Sequence, residues 1–290
     1  MPTKSVTFDF FTYKCPSNQA SLVHALEWEY IHRTNNMFNN IKLFDYYCRI
    51  WEIDKTPEGY YLCNVEKINV LDEANIGDLQ AQRTTVATTP QQGPLFDTGF
   101  FYNPKNQVII LQRNRNGLGY KSFLSYLMKI TNRDDISLEL ILDPDTLIKL
   151  NKMSLVKKLE YTISKPTNLR FSSNPNRSLE GDLELAKTLS GDSLRIEIGS
   201  DKGRQLTIEK AKTKVRSLLG LTENITRLNV RGQIGEDIET IDLIKNRVIY
   251  TEKFSLTQGK RVTVPMVLDT LTKAYKYHET NLNRMYINRV

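Results

Sequence analysis

Two arginines stand at the end of an apolar run, in the stretch QRNRNGLGYKS at residues 112–122. The apolar residues before them predict a strand, and the periodic apolar residues that follow Tyr120 predict a helix. The first backbone N–H groups of a helix have no partner within it and favour an anion. Because guanidinium groups suit bidentate phosphate contacts, we predict that Arg113, Arg115 and Lys121 hold phosphate at this junction.

Two glycines complete the predicted turn. Gly117 and Gly119 allow a positive φ and a close approach of the backbone to a ligand. If the strand continues past Gln112, Arg113 and Arg115 share one side of it, since alternate residues of a strand face the same way. The alternative is structural. Both arginines would then bond to loop carbonyls or to carboxylates of another domain, and the Asn-Gly pair would form an ordinary tight turn.

A second basic stretch, SDKGRQLTIEKAKTKVRS at residues 200–217, predicts a helix with one apolar and one basic side. Its basic side could meet several phosphates in a way that depends on salt and not on sequence. The residues that we assign to this track are Lys202, Arg204, Lys210 and Lys214. The alternative is a solvated helix face, which is the more usual reason for a run of charge.

Length, composition and charge bound the class of protein. The chain has 290 residues, of which 40% are hydrophobic and 25% charged, as expected for a globular protein of about two domains. A net charge of +7 permits a polyanionic partner without requiring one. There is no apolar run long enough for a membrane span and no signal-peptide pattern, and three cysteines fit a reducing compartment. We therefore expect a cytoplasmic protein that does not insert into a membrane.

The predicted fold is α+β, with two domains divided between residues 133 and 134. Residues 1–133 predict mostly antiparallel β-structure with a closing helix. Residues 134–290 predict a mixed α+β domain that ends in a long helix from Pro265 to about Tyr286. Within this half we expect a short helix over DIETIDLI, residues 237–244, and a hairpin in which KRVTVP pairs with the strand before it.

Carboxylates offer an alternative function, because clustered Asp and Glu can hold Mg²⁺ for phosphodiester cleavage. Asp143 is better explained as the cap of a helix whose first residue is Pro144. The acids at residues 236–239 lie at the start of a predicted helix, where the helix dipole stabilises negative charge. Phosphate-loop, dinucleotide and zinc-protease motifs are absent, so no cofactor or metal site is predicted and catalysis stays open. The candidate carboxylates are Asp134, Asp135, Asp143, Asp145, Glu236, Asp237 and Glu239.

Several stretches together resemble a known but poorly characterised family. They are QRNRNG after FFYNPKNQVIILQ, the opening VTFDFFTY, and the later stretches IDLIKNRVIYTEKFSL and LTKAYKYHETNL. The family comprises bacterial and prophage proteins and includes the Gop protein of a satellite phage. More loosely, the layout is similar to KwaB, the DNA-binding component of the Kiwa anti-phage system. Both resemblances imply a role in phage–host conflict and a possible partner from a defence operon, and neither transfers a catalytic residue.

The residues and the resemblance lead to one principal prediction and two alternatives. The principal prediction is a nucleic-acid-binding effector or toxin of anti-phage defence, with DNA and RNA both open as ligands. The first alternative is a metal-dependent nuclease that uses the carboxylates. The second is a non-enzymatic interaction module, in which Tyr46-Tyr47, Tyr60-Tyr61 and the C-terminal helix form a homo-oligomer or partner interface.

Overall fold

A computed structural model describes residues 3–77, 82–164, 186, 188–201, 204–219, 225–257 and 261–286. The predicted α+β class is confirmed, with mostly antiparallel sheets and a long C-terminal helix. The chain divides into two compact units. Unit 1 comprises residues 1–138 and 249–290, and unit 2 comprises residues 139–248.

Unit 1 is built on a large antiparallel sheet. Seven of its strands follow the order β14-β1-β8-β7-β4-β3-β2. The predicted hairpins β3–β4 and β7–β8 are confirmed, since each pair is adjacent and antiparallel. The strands are β1 (Thr3–Lys14), β2 (Ile41–Leu43), β3 (Tyr46–Lys55), β4 (Tyr61–Ile68), β7 (Leu95–Asn103), β8 (Val108–Gln112) and β14 (Ile249–Ser255), beside a small hairpin of β5 (Asn75–Gly77) and β6 (Arg83–Thr85).

Three helices cover the two faces of this sheet: α1 (Ser21–Thr34), α2 (Tyr120–Thr131) and α5 (Val264–Tyr286). Successive residues of a strand point to opposite faces. Accordingly, Phe100 packs against Phe123 of α2 with ring centroids 4.9 Å apart, whereas Phe101 stacks on Tyr275 of α5 at 4.6 Å. Each face of the sheet therefore has its own aromatic layer beneath a helix.

The last strand and the last helix belong to unit 1. β14 pairs with β1 along its whole length, from Thr3 opposite Ser255 to Asp9 opposite Ile249. The expected hairpin with KRVTVP is wrong in its described part, because residues 261–263 form no strand and α5 begins at Val264. The predicted division between residues 133 and 134 does not anticipate this return of the chain.

Unit 2 contains a four-stranded antiparallel sheet in the order β11-β10-β12-β13, with helices α3 (Pro144–Lys152) and α4 (Ile208–Leu219). The predicted cap of α3 is confirmed, because the Asp143 carboxylate accepts hydrogen bonds from the backbone N–H groups of Asp145 and Thr146. The strands are β10 (Leu155–Ser164), β11 (Ser193–Gly199), β12 (Ile225–Ile234) and β13 (Asp237–Asp242), and β9 (Ser137–Leu140) spans the boundary between the units.

The first six residues of the segment DIETIDLI form strand β13 (Asp237–Asp242), so the expected short helix is wrong. Ile234 of β12 lies opposite Asp237, which leaves a two-residue turn whose Gly235 has a φ of +64°. A glycine adopts this conformation without steric cost, so the turn favours a hairpin at this point. Ile241 is then buried in the sheet, and the acids Glu236 to Glu239 lie on a hairpin instead of at a helix start.

Candidate functional site: a basic strand–turn–helix junction

The predicted strand–turn–helix junction is confirmed, since β8 ends at Gln112 and α2 begins at Tyr120. Hydrogen bonds tie the intervening turn to neighbouring strands. The N–H of Arg113 donates to the carbonyl of Thr7 at 2.8 Å, and that of Leu118 donates to Thr98 Oγ1 at 2.8 Å. Asn114 Nδ2 donates to the carbonyl of Asp97 at 2.6 Å. The turn, residues 113–119, is therefore held near both of its ends.

The two glycines of the turn serve close packing. A Cβ added to Gly117 would overlap Thr98 Oγ1 and would lie 3.0 Å from the carbonyl oxygen of Asp97. The expected positive φ is wrong for both glycines, because Gly119 has a φ of −75° and Gly117 is not among the described residues in the left-handed region. The predicted close approach is present at Gly117, but it is made to strand β7.

Arg113 is held by a carboxylate of unit 1. Its Nε and Nη2 atoms both donate to Asp9 of β1, and its side chain is 41% exposed. The two hydrogen bonds to Asp9 raise the pKa of Arg113 above its ordinary value. Because the strand ends at Gln112, the expected alternation of Arg113 with Arg115 does not apply. Arg113 therefore anchors the turn to β1 while its side chain stays partly exposed.

Arg115 is exposed and lines an open cleft of about 590 Å³. Two further cations, Lys67 of β4 and Arg83 of β6, line the same cleft, together with the acids Asp72 and Glu73. Sequence reasoning did not find Lys67 and Arg83, since they are far from the turn along the chain. Three basic and two acidic side chains therefore line the cleft beside the turn.

A second cleft, of about 400 Å³, adjoins the other side of the turn. Arg113 and Asn114 line it, as do Lys4 of β1 and Arg261 just before α5. Asn116 lines both clefts. The turn therefore separates two solvent-accessible concavities, each with at least three basic residues on its wall.

The start of α2 adds to the positive potential of the turn. Gly119 is the N-cap and offers no side-chain acceptor, and the first turn of the helix contains no acid. The helix dipole is consequently not neutralised locally by a carboxylate. Lys121 lies half-buried in this first turn and already interacts within the protein.

The junction lies within the part of the chain that matches a known protein family. Residues 97–285 match a family of unknown function, DUF6731, over well more than half of the chain. The chain belongs to DUF6731. The match starts in β7 at Asp97, whose carbonyl holds Asn114 of the turn, and continues into α5. No curated protein matches the chain. No helix in the described part of this DUF6731 protein is long and apolar enough to span a membrane.

The second predicted basic surface lies in unit 2 of the DUF6731 chain. Helix α4 buries Ala211, Val215, Leu218 and Leu219, which confirms the predicted amphipathic helix. Lys210 is exposed, and Lys214 Nζ lies 6.0 Å from the ring centroid of Tyr161. Arg204 is exposed ahead of the helix, and Lys202 lies outside the described residues. The turn and the basic helix thus belong to different compact units.

Three of the seven candidate carboxylates have structural partners. Asp135 accepts a hydrogen bond from the N–H of Ser17 at 2.9 Å, Asp143 caps α3, and Glu239 pairs with Lys149 at 2.7 Å. In the residues that the structure describes, no group of three His, Cys, Asp or Glu side chains is placed to hold a metal ion.

Proposed function

We propose that this DUF6731 protein binds nucleic acid through the turn and, separately, through helix α4, and that it acts as a cytoplasmic effector or toxin in anti-phage defence. One observation carries the proposal: Arg115 is exposed on a turn whose backbone is fixed by hydrogen bonds, and it shares a cleft with Lys67 and Arg83. A phosphodiester backbone presents regularly spaced charges that such a cluster can contact.

The rigidity of the turn supports this function physically. Binding is weakened by the entropy lost when a mobile segment becomes ordered, so a turn that is already fixed loses less. Arg113 is held by Asp9 and therefore supports the backbone of the turn, which leaves Arg115 as the principal phosphate ligand. Contacts of this type recognise the backbone and not the bases, so the expected binding is largely independent of sequence.

The proposed setting rests on the resemblance to the Gop-containing family and, more loosely, to KwaB. A protein of that setting would act with a partner encoded in the same defence operon, or as a homo-oligomer. The net charge of +7 is compatible with a nucleic-acid ligand.

The test is binding of labelled DNA and RNA, single- and double-stranded, by the purified chain at low and high salt, with and without Mg²⁺. Affinity should fall steeply with salt, and Arg115→Ala should reduce the slope of log K against log salt by about 0.9 for duplex DNA. Lys129→Ala removes an exposed cation at the far end of α2 and is the matched control. Lys210→Ala with Lys214→Ala tests helix α4 separately.

Three outcomes separate the functions. Salt-sensitive binding that Arg115→Ala weakens and Lys129→Ala does not would support the proposal. A folded wild-type protein that binds no probe would refute it. Shortening of the probe that requires Mg²⁺ and stops with EDTA would replace it by the nuclease alternative, for which the described residues offer no three-ligand cluster.

A protein-interaction module is the second candidate function, and exposed apolar side chains favour it. Of the aromatic residues expected at the interface, Tyr46 and Tyr61 are buried in unit 1, whereas Tyr47 and Tyr60 are half-buried, and α5 buries Tyr275 against the sheet. Several large apolar side chains are exposed instead, among them those of Trp28, Ile31, Met37 and Phe44. Self-association measured by light scattering, and lost in Ile31→Glu, would support this candidate.

A further inference from the structure

An exposed tryptophan is held firmly at a bulge in strand β3. Trp51 is the extra residue between Ile50 and Glu52 in the pairing with β4, and it is 40% exposed. Its ring stacks on Phe38, with centroids 4.9 Å apart and planes inclined by 13°. Arg33 Nε of helix α1 donates to the carbonyl of Trp51 at 2.6 Å. Both the backbone and the ring of Trp51 are therefore fixed before any ligand arrives.

Two guanidinium groups accompany this pair of rings. The Cζ atoms of Arg33 and Arg49 lie 5.2 and 5.1 Å from the centroid of the Trp51 ring, within the range of cation–π attraction. Both also lie within 5 Å of the Phe38 ring. Arg49 Nε forms an ion pair with Glu66 Oε2 at 2.7 Å, whereas Arg33 Nε donates to a neutral carbonyl, that of Trp51. The cluster thus combines a flat aromatic surface with the cation of Arg33. Among the described residues, no carboxylate lies within ion-pair distance of this cation.

An open cleft of about 460 Å³ adjoins Trp51. Tyr30, Arg33 and Thr34 of helix α1 form one wall, and Trp51, Glu52 and Ile53 of β3 form the other. This volume lies within the usual range of small-ligand sites. Aromatic rings on both walls suit a flat ring, the guanidinium suits an anion, and the carboxylate of Glu52 suits an amino group.

We propose that this cleft binds an unpaired base of single-stranded nucleic acid, stacked on Trp51, with Arg33 contacting the adjoining phosphate. The inference rests on the proposed function and specifies the form of its ligand. Bases stack on aromatic side chains with little regard to sequence, and arginine adds to the attraction. The bases of a duplex are stacked on one another, so only a single strand can present a base to Trp51. The cleft therefore selects single strands over duplexes.

The chain contains two tryptophans, Trp28 and Trp51, so fluorescence can report on each ring separately. Trp28→Phe leaves Trp51 as the sole tryptophan. Adding single-stranded oligothymidylate should quench its emission, with saturation at the concentration at which anisotropy shows the labelled strand to be bound. Trp51→Phe leaves Trp28, which stacks on His32 at 3.6 Å, and its emission should be unchanged. A duplex probe should not quench Trp51.

Affinity provides the second measurement. Trp51→Ala should weaken single-strand binding by about 5- to 150-fold, which is the usual effect of losing one stacked base. Duplex binding should be unchanged, and Trp51→Phe should restore part of the lost affinity. Trp28→Ala removes a tryptophan of similar exposure and should have no effect on either ligand.

Three outcomes would overturn this inference. If the folded wild-type protein binds no nucleic acid by anisotropy, the proposed function fails and this inference fails with it. If the protein binds single strands but Trp51 emission stays constant, the inference is overturned and the proposed function stands. If Trp51→Ala abolishes self-association and leaves oligonucleotide affinity unchanged, the cleft docks a protein and the inference is likewise overturned.

Discussion

Replacing Gly117 by alanine tests whether close packing against β7 fixes the shape of the basic turn. The new Cβ would overlap Thr98 Oγ1 and would lie 3.0 Å from the carbonyl oxygen of Asp97 and 3.1 Å from Asn114 Nδ2. Thr98 is completely buried in a central strand, so its side chain cannot move aside into solvent. The overlap must therefore be relieved by displacing the turn itself.

The expected loss of stability has two parts. Overpacking at a buried position costs about 1–3 kcal/mol. Displacing the turn also breaks the bond from the N–H of Leu118 to Thr98 Oγ1, and a bond of this kind contributes about 0.5–1.5 kcal/mol. Gly117→Ala should therefore lower the free energy of unfolding of unit 1 by about 1.5–4.5 kcal/mol.

Urea unfolding followed by tryptophan emission measures this loss, because Trp28 and Trp51 both lie in unit 1. Gly119→Ala is the control. Its φ of −75° suits alanine, so the change should cost about 1 kcal/mol or less. Combining Gly117→Ala with Thr98→Ala should cost less than the sum of the two single changes. A Gly117→Ala protein within about 0.5 kcal/mol of wild type would refute the close-packing explanation.

Three further changes probe other parts of the chain. Asp143→Ala removes the cap of α3 and should cost about 1 kcal/mol, measured as faster amide hydrogen exchange in that helix; unchanged exchange would contradict it. Gly99→Ala places a Cβ 2.6 Å from Val267 Cγ1 and should destabilise unit 1 by about 1–3 kcal/mol in the same urea assay, and a neutral result would argue against tight packing of α5. Burial raises the pKa of the Glu29 carboxyl, so ionisation opposes folding as the pH rises through that pKa. Glu29→Gln keeps a hydrogen-bond acceptor for Asn39. It should stabilise unit 1 more at about pH 7 than at about pH 4, because at the lower pH a glutamate of the unfolded chain is also largely protonated. Equal stabilisation at the two pH values would exclude burial of the ionised carboxyl as the cause.

Elements that are determined by residues close together in the sequence could be predicted from it. The β3–β4 and β7–β8 hairpins follow from alternating apolar runs around turn residues, and α2 and α5 follow from apolar residues at helical spacing. The strand–turn–helix junction could be placed for the same reason. These elements were predicted correctly because the residues that determine them are adjacent in the chain.

Features that depend on distant residues could not be placed in this way. The pairing of β14 with β1 joins segments that are far apart in the sequence, and no local pattern indicates it. Lys67 and Arg83 meet Arg115 only after the sheet has formed. One signal was available for the Arg113 contact: Asp9 is a lone acid inside the apolar strand VTFDFF, and such a carboxylate needs a cationic partner. From the sequence, Arg113 was predicted to bind phosphate, and Asp9 was not considered as its partner.

The two ends of unit 2 meet each other, which has a consequence for synthesis of the chain. Leu142 forms a bridge with Arg247, and the N–H of Val248 donates to the carbonyl of Ile141 at 2.8 Å. Unit 2 is therefore an insertion that leaves and rejoins the surrounding polypeptide at neighbouring points. A ribosome releases all of it before β14, the partner of β1, and before α5, which covers Phe101. Unit 2 can complete its sheet while unit 1 still exposes an aromatic face, so the nascent chain needs protection from aggregation until α5 has emerged.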